Sequence, residues 1–374
     1  MKTAYWNPTR YMIENGAFSG LREVLAGFHP RRILLVLGEK SFRLSPHFLK
    51  LNEMLAPYQV LESSAVSQNP TQEFVQQEIN RLKAEIYDTV LAIGGGSVLD
   101  VSKLLALIPR QKDTDLANYL EGRFDLQKEP ANLIAVPTTA GTGSEVSPFS
   151  SLETRDRKKF SIAHAWLYPK AAIIDPELSY SMPAYVTAST GFDALSQAIE
   201  SFWSVQATPA SQTHSLRALE LIVPALERAV LSPRDAEARF AMAHGSCEAG
   251  LGIAQAKTTA VHSVSYPITA HFGVAHGHAC ALTLPSFVRF NAPVLKDRGV
   301  PLLKRFQVED YETMASRIEM LMQAAGLERS LSKLGINTEG EALIVRDGFR
   351  PDRIKNNPRP ITAEELSVML SALR

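Results

Sequence analysis

Thr89-Val90-Leu91-Ala92-Ile93-Gly94-Gly95-Gly96-Ser97 decides the fold of this chain. The run from Thr89 to Ile93 is short and largely apolar, which reads as a buried strand. Three glycines and a serine break it, and a helical stretch begins near Leu99. Glycine lets a backbone come close to a ligand without a Cβ in the way. The following helix start offers unpaired N–H groups and partial positive charge, where phosphate binds well. A pyrophosphate-bearing cofactor therefore suits this turn, and a tight β–α turn without a ligand is the alternative. The pattern is neither GxGxxG nor a Walker loop, since no Gly-Lys-Ser/Thr follows.

Further short apolar runs lie on either side. Arg32 to Leu37 ends at Gly38, Asn132 to Val136 ends at a Ser/Thr-rich loop, and Ala171 to Ile174 ends at Asp175. Gln59 to Glu62 is a weaker strand candidate. A helix is expected after Gln68-Asn69-Pro70, with Thr71 as its N-cap. Continuous apolar strands alternating with helices predict a parallel sheet covered on both faces. From about Ala184 the texture changes. Thr187–Val205, Pro209–Leu231, Asp235–Ala254 and Thr258–Tyr266 carry helical periodicity. Residues 346–360 read as a loop before a last short helix. The expectation is an α/β N-terminal nucleotide-binding domain over 1–181 and an all-α domain over 182–374.

Bulk properties exclude several function classes. Two domains suit 374 residues. Lys+Arg and Asp+Glu number 39 each, so no basic field points to nucleic acid or an acidic membrane. No apolar run is long enough to span a bilayer, and the N-terminus lacks a signal core. The two cysteines, Cys247 and Cys280, form no CxxC pair, which fits a reducing compartment, and a cytoplasmic location is expected.

Two more segments carry chemistry. Pro137-Thr138-Thr139-Ala140-Gly141-Thr142-Gly143-Ser144-Glu145 follows a strand and supplies four hydroxyls for a nucleotide's ribose and phosphates. A Ser/Thr-rich cap is the plainer reading. Two such loops at strand ends favour a ligand. Asp193 and Gln197 stand four apart on one helix face, and His262 and His276 follow later. One carboxylate, one amide oxygen and two imidazoles suit a divalent ion such as Zn2+ or Fe2+. Packed or surface histidines are the alternative.

Taken together, Asn69-Pro70-Thr71, Gly94 to Ser97 with Asp100 and Lys103, the 137–145 block, Asp175 to Leu178, Gly191 to Glu200 and His262 to Asn291 resemble the iron-containing (group III) alcohol dehydrogenases. The resemblance implies a dehydroquinate synthase-like fold and a metal- and NAD(P)H-dependent reductase. It implies that Gly94, Gly95, Gly96 and Ser97 hold the pyrophosphate. Asn69, Asp100, Thr138, Thr139, Thr142 and Ser144 would line the nucleotide, with Lys159 near the nicotinamide ribose. Asp193, His262 and His276 match metal ligands. A homo-oligomer, as a dimer, is expected.

Two departures stand out. Gln197 replaces a histidine usual in the family, and Tyr266 replaces another, so Tyr266, His271 and His278 become candidates for proton transfer. Gly38 stands where NAD-preferring relatives often carry Asp. Lys40 favours NADPH and Glu39 opposes it, leaving NADPH or NADH. The phosphonoacetaldehyde reductase branch is the most similar, through the stretch from Asp193 to Val205, Lys257-Thr258-Thr259, Ser265-Tyr266-Pro267 and His276 to Ala279. That implies a small anionic aldehyde, reduced to an alcohol such as 2-hydroxyethylphosphonate, with Lys257 as candidate anion anchor. Sulfoacetaldehyde, butanal or a hydroxy-acid semialdehyde are alternatives. So are a metal-dependent cyclase and a cofactor-binding protein with a decayed metal site.

Overall fold

The computed structural model describes residues 5–154, 159–349 and 351–374. Two compact units emerge. One comprises Trp6–Thr139 and Ser144–Ser179; the other contains Tyr5, Ala140–Gly143 and Tyr180–Arg374. The short segment Ala140–Gly143 thus belongs with the helices, although it lies in a strand-following loop of the first unit's sequence.

The first unit is built on eight strands among the described residues: β1 Arg10–Ile13, β2 Arg32–Leu37, β3 Gln59–Glu62, β4 Thr89–Gly94, β5 Asn132–Pro137, β6 Phe149–Glu153, β7 Lys159–Ala163 and β8 Ala171–Ile174. Six form a parallel sheet in the order β1-β8-β5-β4-β2-β3, while β6 and β7 pair antiparallel apart from it. Its helices are α1 Leu21–Phe28, α2 Pro46–Leu55, α3 Gln72–Leu82, α4 Gly96–Leu107 and α5 Leu116–Leu120.

Alternate strand residues feed two separate cores. Leu34, Val36, Val90, Ala92, Leu133 and Ala135 join α3, α4 and α5. Ile33, Leu35, Leu91, Ile93, Ile134 and Val136 join α1 and α2. Successive side chains point to opposite faces, so both parities must be apolar when both faces are covered. This is why the strands read as unbroken apolar runs. β4 lies between β2 and β5, and their carboxyl ends bring Gly38, the 94–97 turn and Thr138 together, with the Thr138 N–H donating to the Gly94 carbonyl at 3.0 Å.

The second unit is helical: α6 Ala184–Trp203, α7 Pro209–Leu231, α8 Ala236–Ala256, α9 Ala260–Phe272, α10 His276–Leu295, α11 Val300–Phe306, α12 Tyr311–Ala324, α13 Thr338–Gly348, α14 Pro351–Ile354 and α15 Ala363–Ser371. One continuous core runs through it. α6 is buried on nearly every side from Thr187 onward, as expected of a helix packed by neighbours all round. The 346–360 stretch is not wholly a loop, since α13 ends within it and α14 follows; position 350 lies outside the described residues. No described helix is long and apolar enough to cross a membrane.

Candidate functional site

In the α/β unit the glycine turn is shaped for close approach. A Cβ at Gly94 would lie 2.5 Å from a Val98 methyl, so the strand must pass directly into α4 without a side chain. Gly95 is the N-cap of α4 and makes no side-chain cap, and Gly95, Gly96 and Ser97 are half-buried. Ser97 Oγ accepts from the Asn69 N–H at 3.3 Å, and Asn69 adopts positive φ (51°). Thr138 and Thr139 are half-buried at the end of β5, Gly38 at the end of β2, and Glu39 and Lys40 are exposed beyond it.

Two residues expected at the nucleotide are turned inward instead. Ser144 donates to Asp100 Oδ1 at 2.6 Å and accepts from Lys103 Nζ at 2.7 Å. Lys103 also donates to the Phe149 carbonyl at 2.6 Å, and Asp100 Oδ2 accepts from the Ser151 N–H at 2.8 Å. Burial pushes Lys103 down to about 8, against the pull of Asp100 and Glu145. Burial likewise raises Glu145 to about 7. The network ties α4 to β6. Lys159, at the start of β7, is half-buried and its charge is felt by Asp100.

Thr142 sits in the helical unit, where its carbonyl accepts from Gln197 Nε2 at 3.4 Å. Here the candidate metal ligands converge. Asp193 and Gln197 are one turn apart on α6, His262 comes from α9, and His276 opens α10. Asp193 Oδ1 lies 3.2 Å from His262 Nε2, 3.9 Å from His276 Nε2 and 3.1 Å from Gln197 Nε2. Asp193, His262, His276 and Cys280 each offer a ligand atom, and these atoms all lie within 4.8 Å of one another. A Cβ at Gly277 would fall 1.8 Å from the Ser189 carbonyl and 2.9 Å from Asp193 Cβ. Only glycine lets the start of α10 meet α6 there, and that contact carries His276 to Asp193.

The donor set fits a divalent cation. Gln197 is 4% exposed and its Oε1 has no hydrogen-bond partner. Leaving such an acceptor unpaired costs about 1–3 kcal/mol, which a cation at the site would offset. The mixture of carboxylate, amide oxygen, imidazole and thiol suits zinc or ferrous iron rather than magnesium or calcium.

A carboxylate behind the ligands fixes one of them. Glu200 Oε2 contacts His262 Nδ1, while its Oε1 accepts from the N–H and hydroxyl of Thr259, each at 2.8 Å. Burial opposes ionisation of Glu200, but His262 and Thr259 outweigh it and hold the carboxyl below its ordinary value. A carboxylate on Nδ1 sets the ring so that Nε2 faces the ion.

The three proton-transfer candidates separate. Tyr266 stacks on His276, with ring centroids 5.4 Å apart and planes at 25°. His271 Nε2 is paired with Asp347 at 3.0 Å. His278 is 2% exposed, and its ring nitrogens meet the Tyr185 hydroxyl at 3.1 Å and the Glu328 carbonyl at 2.7 Å. His271 and His278 thus have the partners named, and Tyr266 packs against a candidate ligand. Lys257 is exposed at the C-cap of α8, with φ 59° and ψ 171°.

Reading the sequence missed Glu200 and Cys280. Glu200 lies seven residues after Asp193 and Cys280 four after His276, so helical spacing puts each on its ligand's face. That spacing was the available signal. Burial pushes the Cys280 thiol up, against the pull of His262.

Known proteins resemble this chain over nearly its whole length. A model described as iron-containing alcohol dehydrogenase matches residues 8–176, and one described as the C-terminal part of the Fe-containing alcohol dehydrogenase family matches 187–373. A phosphonoacetaldehyde reductase of Streptomyces viridochromogenes is 34% identical over 91% of this chain and 89% of its own. Long-chain-alcohol dehydrogenase 1 of Geobacillus thermodenitrificans is 32% identical over 76% of this chain and 75% of its own. The crystal structure of sulfoacetaldehyde reductase from Bifidobacterium kashiwanohense in complex with NAD+ superposes with a TM-score of 0.92 at 34% identity, covering 100% of this chain and 99% of that one. The chain belongs to the iron-containing alcohol dehydrogenase family.

Proposed function

We propose that this enzyme reduces a short anionic aldehyde, such as phosphonoacetaldehyde, to the corresponding alcohol, consuming one NAD(P)H and one proton. The observation that carries a metal-dependent reduction is the convergence of one ligand atom each from Asp193, His262, His276 and Cys280 within 4.8 Å of one another, with buried Gln197 one turn from Asp193. The anionic substrate is supported by the two relatives, whose names specify phosphonoacetaldehyde and sulfoacetaldehyde. When bound, the ion supplies Lewis-acid polarisation of the carbonyl oxygen and the reduced nicotinamide supplies hydride.

The chain's own residues hold and orient these parts. Asp193, Gln197, His262 and His276 ligate the ion, with Cys280 as a further donor. Glu200 keeps Nε2 of His262 turned toward the site. Gly94, Gly95, Gly96 and Ser97, with the start of α4, take the pyrophosphate. Asn69, Thr138 and Thr139 line the nucleotide, Lys159 approaches the ribose, and Gly38 leaves room for either a 2′-hydroxyl or a 2′-phosphate. Asp100 and Ser144 act from behind the glycine turn by fixing α4 against β6. The Tyr266 hydroxyl hands a proton to the product oxygen.

The test is metal analysis of the purified protein together with kcat/KM for phosphonoacetaldehyde, sulfoacetaldehyde and butanal, each with NADH and NADPH. The expected outcome is stoichiometric zinc or iron, turnover that disappears on chelation, and anionic aldehydes preferred over butanal. Turnover that persists after complete metal removal sinks the reading, as does protein that binds nicotinamide without reducing any aldehyde. The NADPH-to-NADH ratio decides what Gly38 admits.

A further inference from the structure

Behind Tyr266 stands a cation that neither the glycine turn nor the metal ligands require. Arg353, on α14, places its guanidinium carbon 4.7 Å over the Tyr266 ring. Its Nη1 donates to the Thr258 hydroxyl at 2.6 Å. Tyr266 in turn stacks on His276. A single aromatic ring therefore links a fixed positive charge to a candidate metal ligand.

The surrounding structure holds Arg353 in place. Asn356 is 1% exposed; its Nδ2 donates to the Thr258 carbonyl at 3.1 Å, and its own carbonyl accepts from the Val205 N–H at 2.9 Å. Asn357 is 4% exposed and donates to Asn291 Oδ1 at 2.8 Å. These two buried residues pin the segment that carries Arg353 to the chain just past α6 and α8 and to Asn291 within α10. Much of the entropy cost of ordering a long side chain is thus met before any ligand arrives. Guanidinium also stacks on aromatic faces without losing charge, and its planar fork matches the oxygens of a tetrahedral anion.

We propose that Arg353, set by Thr258 and Tyr266, is the anion anchor of the substrate site: it takes the phosphonate or sulfonate end of a two-carbon aldehyde whose carbonyl lies at the Asp193, His262 and His276 centre. This rests on the anionic-aldehyde reading above. Tyr266 contacts both Arg353 and His276, and in a two-carbon aldehyde only one methylene separates the carbonyl from the anion. The same charge disfavours long neutral alcohols, whose alkyl tail would have to desolvate it. Lys257 is a poorer anchor. It is exposed on a flexible stem and presents a point charge rather than a fork.

The experiment compares metal-loaded wild type, Arg353→Ala, Arg353→Gln and Lys257→Ala on phosphonoacetaldehyde, sulfoacetaldehyde and butanal. Loss of a charge-assisted anion contact should lower kcat/KM of Arg353→Ala for both anionic aldehydes by roughly 30- to 100-fold. The same variant should change butanal by no more than about threefold, and Lys257→Ala should keep the wild-type ratio of anionic to neutral turnover. The relative loss on phosphonate and sulfonate tells which anion the site is built for. If Arg353→Ala does not fold, judged by far-UV circular dichroism, Arg353→Gln keeps a donor for Thr258 and carries the same comparison. Equal losses on all three aldehydes would make Arg353 structural and overturn the proposal. So would an anionic preference that survives both Arg353 variants, or one that Lys257→Ala alone abolishes; in these cases the anionic-aldehyde reading stands. A wild type that prefers butanal fails that reading, and the anchor falls with it.

Discussion

At the residue scale, the site depends on how much of His262 is already decided before an ion arrives. Its Nδ1 is committed to Glu200, and Glu200 is itself held by two donors from Thr259. Imidazole has two usable nitrogens, and without this carboxylate either could face the ion. Glu200→Gln removes the charge while nearly keeping the shape. Affinity for Zn2+, read by competition with a chromophoric chelator, should fall about 10- to 100-fold. Unchanged affinity would mean that Glu200 only packs. The candidate ligands were legible in the sequence because they fall in long segments shared with a family. Glu200 and Cys280 were not singled out, since a buried carboxylate and a buried thiol acquire meaning only once their helix faces are known. Arg353 was harder still. It is remote in sequence from every ligand, and only α14 brings it to Tyr266.

At the level of elements, the strands with apolar residues at both parities could be read from sequence, and those without could not. β1 is mostly exposed, and the hairpin strands β6 and β7 read FSSLE and KFSIA, too polar to announce themselves as sheet. The Thr71 N-cap was legible, and its hydroxyl accepts from the Phe74 N–H at 3.2 Å. Between helices the sequence said less about what joins them. Glu248 on α8 meets His214 of α7 at 2.6 Å and His244 of its own helix at 3.4 Å. Burial works against the Glu248 carboxylate, but the two histidines outweigh it and lower its pKa from 4.5 to about 2. A carboxylate with a depressed native pKa adds stability above its unfolded value and loses it as pH falls through the native one. Stability of the helical unit should therefore drop between about pH 4.5 and pH 2 as Glu248 protonates. Urea unfolding across that range should show a shallower acid limb in Glu248→Gln. An identical slope would remove Glu248 from the account.

For the whole molecule, the division into two units separates two ligands by the structure each one ties together. Every candidate metal donor comes from α6, α9 or α10, and Thr258, Tyr266 and Arg353 belong to the same helical unit. The glycine turn, Thr138, Thr139 and Gly38 belong to the sheet unit. Ligand bound at a hundred times its Kd stabilises the binding form by about 2.7 kcal/mol, and that gain is felt by the segments which must stay folded to hold it. Hydrogen exchange followed by mass spectrometry should distinguish the two. Zn2+ added to chelator-treated protein is expected to slow exchange in α6, α9 and the start of α10, the three helices that carry the candidate ligands. NADPH or NADH is expected to slow it at the end of β4 and the first turn of α4, the proposed pyrophosphate site, where the helix start offers N–H groups to an anion. If the metal protected β4–α4 while leaving α9 and α10 unchanged, Asp193, His262 and His276 would not be its ligands. The assignment of metal chemistry to the helical unit would then fail, even with the family membership intact.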